Sequence, residues 1–190
     1  MNIKVLSIEG AFILVTRLLS DNRGFFREWF KTERFESNFS SFNVAQANLS
    51  KSKLGVLRGI HYSLNPEGQS KVVTCADGKI IDVLVDLRRG SPSFLKIELI
   101  ELSENQAESI FIPSGVGHGF LTLSESASIV YLTSSVYSPQ FEKAIHPFDR
   151  DLGINWPTNK VDSIILSESD KAAPSFAEAM KMGLLPNFKI

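Results

Sequence analysis

Residues 72–87 read VVTCADGKIIDVLVDL, in which two apolar runs, 72–75 and 79–87, lie on either side of Gly78. β-Branched residues are frequent in both runs, which is typical of strands. Similar short runs recur between Gly, Pro, Asn and Ser residues, at 5–8, 11–19, 43–49, 94–102, 110–112, 120–123 and 128–136. Short strands at this spacing predict an all-β fold, an antiparallel barrel or sandwich. The absence of a GxGxxG motif, a P-loop and a βαβ rhythm disfavours a dinucleotide-binding α/β fold.

Two short helices interrupt this pattern. Residues 31–39 place Phe35 and Phe39 four apart on one helical face. Near the C-terminus, Ser175 and Glu178 form a capping box, with Gly183 as the expected stop. The 190 residues predict a single domain spanning 1–190, with a barrel core over about 1–150 and a wrapping tail over about 151–190.

Charge and composition exclude several classes of protein. Lys and Arg number 20 and Asp and Glu 21, a net charge of −1, which is not that of a general nucleic-acid or membrane binder. No apolar run approaches the ~20 residues that span a bilayer, and the N-terminus lacks a basic region and a cleavage site. The single cysteine, Cys75, lies in an apolar run and is predicted to be a core residue rather than a nucleophile. We therefore expect a cytoplasmic protein.

The three histidines are His61, His118 and His146. A metal-binding cupin needs about three histidines and a carboxylate, two of the histidines closely spaced, whereas His61 stands alone in its segment. We therefore expect no metal.

Arg58 precedes His61 by three residues, so the two side chains face opposite ways in an ideal strand. A bulge at Gly59 would bring them to the same face.

Other polar residues occur in pairs with strand spacing. Gln46 and Asn48 share a face, as do Gln69 and Lys71. Inside a barrel such groups are costly unless they are paired or bind a ligand, and the alternative is a solvated outer face. Tyr131 lies in an apolar strand and is either a core tyrosine or a proton donor. No Gly-x-Ser-x-Gly elbow supports nucleophilic hydrolysis.

A set of motifs extends from about residue 20 to 186. The most specific are residues 46–50 (QANLS) and 55–62 (GVLRGIHY). The others are 23–28 (RGFFRE), 69–73 (QSKVV), 82–88 (DVLVDLR), 90–94 (GSPSF), 113–120 (PSGVGHGF), Tyr131, 137–139 (YSP), Glu142, 156–157 (WP) and 166–170 (LSESD). Together, and in this preserved order, these stretches resemble the dTDP-4-dehydrorhamnose 3,5-epimerase family.

The resemblance implies a cupin-type jelly roll and an isomerase that needs neither a metal nor an organic cofactor. The implied reaction is epimerisation at C3 and C5 of dTDP-4-dehydro-6-deoxy-D-glucose, giving dTDP-4-dehydro-L-rhamnose for L-rhamnose biosynthesis. It also implies a homodimer with exchanged strands, in which residues 23–28 serve the neighbouring pocket.

The resemblance further implies roles for individual residues. His61 is the base, and Asp170 orients its ring. Lys71 stabilises the oxyanion, and Tyr131 returns a proton from the opposite side. The substrate-binding residues are Arg23, Glu28, Gln46, Asn48, Arg58, Lys71, His118, Tyr137 and Glu142, with Tyr137 stacking on the base.

The chemistry is coherent on physical grounds. An α-proton of a ketone leaves only if a base is close and the enolate is stabilised. Arginine suits a diphosphate through its planar fork.

The chain departs from the family at Ser169, where Lys or Arg usually stands, and at Ser63, where Gln is frequent. Two rivals remain: a single-centre epimerase or ketoisomerase of a related deoxysugar, and a non-catalytic cupin that binds a sugar or nucleotide.

Overall fold

Antiparallel sheets dominate the computed structural model, which describes residues 2–33 and 42–189. A six-stranded sheet contains, in spatial order, β1 (Asn2–Val5), β2 (Phe12–Val15), β10 (Glu108–Ile112), β7 (Lys71–Asp77), β12 (Ser126–Thr133) and β5 (Gln46–Lys53). A five-stranded sheet contains β13 (Glu142–Ala144), β6 (Leu57–Ser63), β11 (Val116–Thr122), β8 (Lys79–Asp86) and β9 (Ile97–Ser103). A separate hairpin pairs β3 (Leu19–Asp21) with β4 (Gly24–Phe26). The predicted all-β, jelly-roll fold class is confirmed.

Strand β8 shows how the apolar layers arise. Successive side chains of a strand point to opposite faces, and β8 is buried on both. Ile80 and Leu84 join the cluster between the two sheets. Ile81, Val83 and Val85 join a second cluster, formed with the C-terminal tail on the outer face of the five-stranded sheet. This sheet is therefore the middle layer of the molecule.

The tail contributes helical turns to that second layer. It contains a 3-10 turn, Thr158–Lys160, then α1 (Glu168–Lys171) and α2 (Phe176–Lys181). The predicted capping box at Ser175 and Glu178 is present, with both of its hydrogen bonds. Helix α1, with four residues, was not predicted. Most of the predicted helix at 31–39 falls on residues 34–41, outside the described residues.

A bulge in β6 sets the direction of its polar side chains. His61 lies opposite His118 and Arg58 lies opposite Phe120, so three steps along β6 match two along β11. The extra residue accompanies Gly59, whose φ is +130°. Phe120 belongs to the cluster between the sheets, and Arg58 and His61 consequently both face inward. The bulge considered from the sequence is the observed arrangement.

Within the residues described, the helices are all too short or too polar to traverse a bilayer.

Candidate active site

A cavity of about 520 Å³ opens where the edge strands of the two sheets approach each other. One wall comes from β5, β7 and β12, and the other comes from β6, β13 and α1. All four residues predicted to be catalytic line this cavity. The lining residues are Gln46, Asn48, His61, Gln69, Lys71, Tyr131, Thr133, Tyr137, Glu142, Lys143, Ala144, Ser169 and Asp170.

His61 and Asp170 form a dyad on the β6–α1 wall. Nε2 of His61 lies 2.6 Å from Oδ1 of Asp170, whose side chain is only 4% exposed. Because an ionised carboxylate only accepts hydrogen bonds, Nε2 carries the proton and Nδ1 keeps a lone pair. Burial raises the pKa of Asp170, but hydrogen bonds from His61 and Ser167 and the nearby Arg58 outweigh it, so the pKa lies below its ordinary value. Asp170 is therefore the ionised, orienting member of the pair.

Lys71 begins β7 and is half-buried inside the cavity. Burial lowers the pKa of its ammonium group, against the opposing charges of Glu142 and Asp82. Lys71 lines the cavity, where an ammonium group with three N–H donors can meet a developing oxyanion.

Tyr131 stands on the wall opposite His61. It lies in β12, paired with Asn48 of β5 and Val73 of β7, whereas His61 belongs to the other sheet. Burial raises the pKa of Tyr131, Arg58 lowers it and Glu142 raises it, with a net increase. The phenol therefore remains protonated at neutral pH, and a phenol and an imidazole lie on opposite walls of one cavity.

Gln46, Asn48 and Tyr137 form a connected group at the mouth of the cavity. The amide nitrogen of Gln46 donates to Oδ1 of Asn48 at 2.7 Å. Its oxygen accepts from the backbone N–H of Tyr137 at 2.8 Å. This contact holds the half-exposed Tyr137 ring beside the cavity, in a place where a planar base can stack on it.

His118 and Arg58 lie beside the cavity rather than on its lining. Nε2 of His118 lies 2.7 Å from Oδ2 of the fully buried Asp82, and burial raises the pKa of this carboxyl group. Within the described chain, the other oxygen of Asp82 has no hydrogen-bond partner. Arg58 is exposed and donates through Nε to Oγ of Ser52 at 3.1 Å, across the gap between the sheets.

Arg23 and Glu28 lie away from this cavity. Arg23 is exposed on the β3–β4 arm and pairs with Asp21 at 2.6 Å. Glu28 borders a different surface depression, with Arg17 and Phe26 among its neighbours. Neither residue therefore reaches the His61 cavity of its own chain.

The predicted site omitted several lining residues. Thr133, two residues after Tyr131 on the same strand face, was missed, whereas Gln69 was paired with Lys71 from the sequence but was given no role in the site. The two-residue strand period is the signal that finds both. Lys143 and Ala144 belong to β13, and no sequence signal identifies them.

Within the described residues, no three His, Cys, Asp or Glu side chains converge as a group that could hold a metal ion.

Comparisons with known proteins agree with this geometry. The sequence profile of the dTDP-4-dehydrorhamnose 3,5-epimerase family matches residues 5–178. The chain is 43% identical over 189 residues to the dTDP-4-dehydrorhamnose 3,5-epimerase of Mycolicibacterium smegmatis, covering 99% of this chain and 92% of the relative. It is also 43% identical over 185 residues to a dTDP-4-dehydro-6-deoxyglucose 3-epimerase of a Streptomyces species, covering 97% and 93%.

A comparison with solved structures also finds an epimerase. The dTDP-6-deoxy-D-glucose-3,5-epimerase of Legionella pneumophila, in complex with dTDP-4-keto-L-rhamnose, matches with a TM-score of 0.91 and 35% identity. The match covers 100% of this chain and 99% of that one.

Proposed function

Because the chain belongs to the dTDP-4-dehydrorhamnose 3,5-epimerase family, we propose that it is an isomerase that converts dTDP-4-dehydro-6-deoxy-D-glucose into dTDP-4-dehydro-L-rhamnose. The reaction inverts C3 and C5, the two carbons beside the C4 ketone, in deoxysugar (L-rhamnose) biosynthesis.

The observation that carries this proposal is the placement of the His61–Asp170 dyad and Tyr131 on opposite walls of one cavity, with Lys71 on the same wall as Tyr131. Nδ1 of His61 removes the proton from the carbon, and Asp170 holds the resulting imidazolium. The electron pair moves to the ketone oxygen, where Lys71 stabilises the enolate. Tyr131 then protonates the carbon from the opposite face, which inverts the centre.

Binding of the nucleotide diphosphate falls to the mouth of the cavity. Gln46, Asn48 and Glu142 provide polar contacts, and Tyr137 stacks on the base. Arg58 faces inward beside them, and its terminal nitrogens make no hydrogen bond to the described residues, so its fork remains for a phosphate. His118, behind the cavity wall, supports the sugar end of the site.

We propose a homodimer in which the β3–β4 arm brings Arg23 and Glu28 to the cavity of the partner. Leu19, Phe25 and Phe26 on this arm are 61%, 49% and 65% exposed, an apolar surface that a monomer rarely leaves uncovered. Sedimentation at micromolar concentration tests the assembly. A fully active monomer would refute both the dimer and the shared site.

We also propose that the protein is cytoplasmic and works without a metal. Its one cysteine, Cys75, is a free thiol buried in the core, which suits a reducing compartment. Neither proton abstraction nor enolate stabilisation in this cavity requires an ion. Full activity after dialysis against a chelator is expected, and activity restored only by one specific ion would contradict it.

A single-centre epimerase is the second candidate, since the Streptomyces 3-epimerase is as similar to this chain as the mycobacterial 3,5-epimerase is. Proton NMR of dTDP-4-dehydro-6-deoxy-D-glucose in deuterated water decides between them. We expect deuterium incorporation and inversion at both C3 and C5. Inversion at C3 alone would favour the single-centre enzyme, and binding without exchange at either carbon would indicate a non-catalytic sugar-binding cupin.

A further inference from the structure

The two oxygens of the Asp170 carboxylate have different partners. Oδ1 contacts His61, whereas Oδ2 lies 2.8 Å from the hydroxyl oxygen of Ser167. Ser167 is the N-cap of α1, and its Oγ also accepts a hydrogen bond from the backbone N–H of Asp170 at 3.1 Å. The same Oγ lies 2.9 Å from the hydroxyl oxygen of Ser169. Ser167 is thus the centre of a small network behind the dyad.

The number of hydrogens determines the direction of every bond in this network. An ionised carboxylate only accepts, so the one hydroxyl hydrogen of Ser167 goes to Oδ2 of Asp170. Ser167 then has no hydrogen left for Ser169, and Ser169 must donate to Ser167. The result is a directed chain from Ser169 through Ser167 to Oδ2 of Asp170, whose other oxygen accepts from Nε2–H of His61.

We propose that Ser167 is a positioning residue for proton abstraction and that Ser169 supports it from the surface. By fixing Oδ2, Ser167 prevents rotation of the carboxylate and keeps Oδ1 on Nε2 of His61. That contact holds the imidazole in the tautomer whose Nδ1 lone pair serves the cavity. The kinetic part of this inference rests on the proposed epimerase function, whereas the tautomer part does not.

The network also determines the hydrogen-bonding capacity of Ser169 toward a ligand in the cavity. Because the Ser169 hydroxyl donates to Ser167, it presents only lone pairs to the cavity that it lines. While that bond is made, Ser169 can accept a hydrogen bond from a sugar hydroxyl group. The Ser169–Ser167 bond is exposed, so water replaces it easily, and Ser169 contributes less than Ser167 does.

Nitrogen-15 NMR of the imidazole ring of His61, in ligand-free protein under conditions where the ring is neutral, tests the positioning directly. The variants are Ser167→Ala, Ser167→Thr and Ser169→Ala. The wild type and the threonine variant are expected to show one Nε2–H tautomer. Ser167→Ala is expected to mix the two tautomers and to lower kcat roughly ten-fold, with little change in KM. Ser169→Ala is expected to lower kcat only about two-fold, as loss of one exposed hydrogen bond does.

Ser167→Gly separates positioning from capping. Glycine at a helix N-cap costs only a few tenths of a kcal/mol relative to serine, yet it has no hydroxyl. A mixed tautomer in this variant supports the proposal even if Ser167→Ala disturbs α1. A single tautomer with wild-type kcat in both variants would overturn it, as would a threonine variant as impaired as alanine. If the tautomers change as expected but the wild type turns over no deoxysugar, only the proposed function fails.

Discussion

Arg58 and His61 face the same side of β6 although they are three residues apart, because the strand holds one residue more than β11 between them. Gly59 occupies the extra position at a φ of +130°. A Cβ there would lie 2.6 Å from Cα of Gly119. The relation between a cation and the proposed base thus depends on a residue without a side chain.

Gly59→Ala should accordingly lower both stability and activity. A strained φ costs about 1–3 kcal/mol, and the contact with Gly119 adds to it, because backbone cannot yield as a flexible side chain does. Chemical denaturation and the exchange assay measure the two losses. Gly90→Ala is the matched control, with a φ of +83° and nothing within 4 Å of the added Cβ. It should lose stability through φ strain alone and keep its activity. Equal behaviour of the two variants would contradict the role of the bulge.

His61→Ala should abolish proton exchange at both sugar carbons, with a loss of about 10²–10⁴-fold or more, as expected for removal of a general base. The imidazole is 44% exposed, so the thermal transition should change little. Solvent-deuterium incorporation at C3 and C5 is the measurement. His146→Ala, which changes a histidine outside the cavity, is the control. Exchange near the wild-type rate in His61→Ala would reject the assignment.

Tyr131→Phe should separate exchange from inversion. His61 would still remove the proton and return it to the same face, so deuterium incorporation persists while inversion falls. The ratio of exchange to inversion, at C3 and C5 separately, is the readout. Tyr62→Phe is the matched control, because the buried hydroxyl of Tyr62 has no hydrogen-bond partner among the described residues, and its loss should be neutral or slightly stabilising. Undiminished inversion at both carbons in Tyr131→Phe would end the donor role.

The stability of the protein should fall in acid partly through Asp86. Burial raises the pKa of this carboxyl group, but hydrogen bonds from Arg88, Ser91 and Ser93 outweigh it, and the pKa lies below its ordinary value. Because the pKa of Asp86 is lower in the folded chain than in the unfolded chain, ionised Asp86 stabilises the fold at pH values above its unfolded pKa of ~3.9. This stabilisation is lost as the pH falls through the pKa of Asp86 in the folded chain. Asp86→Asn should therefore flatten the dependence of the free energy of unfolding on pH below about 4.

Asp21→Asn is the control for that experiment. Asp21 also has a lowered pKa, through hydrogen bonds from Arg23, but the pair is exposed and screened by water. Its removal should leave the acid limb of the stability curve almost unchanged. A steeper change in Asp21→Asn than in Asp86→Asn would refute the argument from burial.

The sequence predicted the apolar strands better than the strands that carry the site. Residues 72–75 and 79–87 lie within β7 and β8 or overlap them closely, because their β-branched runs are buried. β6 and β13 were not predicted as strands: β6 contains Arg58, Gly59 and His61, and β13 has only three residues. The strand predicted at residues 5–8 lies too far along the sequence, since the observed β1 spans Asn2–Val5. Polar side chains that serve a ligand weaken the pattern by which a strand is recognised.

The residues of the site were predicted mainly from sequence motifs. Spacing along one strand groups Gln46 with Asn48 but cannot show that β5 and β6 face each other across a cavity. The contact between His61 and Asp170 joins residues 109 positions apart, a distance that no local pattern reports. Arg23 and Glu28 were assigned to a neighbouring pocket only through the family resemblance, and within one chain they do not line the His61 cavity.

The burial of β8 on both faces implies an uneven resistance to local unfolding. Its amides lie in the middle layer and should exchange with solvent hydrogen only through global unfolding. The edge strand β13 has three residues and α1 has four, so each is held by few contacts and should exchange through small openings. The cavity can therefore loosen at its rim, admitting a bulky nucleotide sugar and releasing product, while the protected centre of the sheet retains the fold.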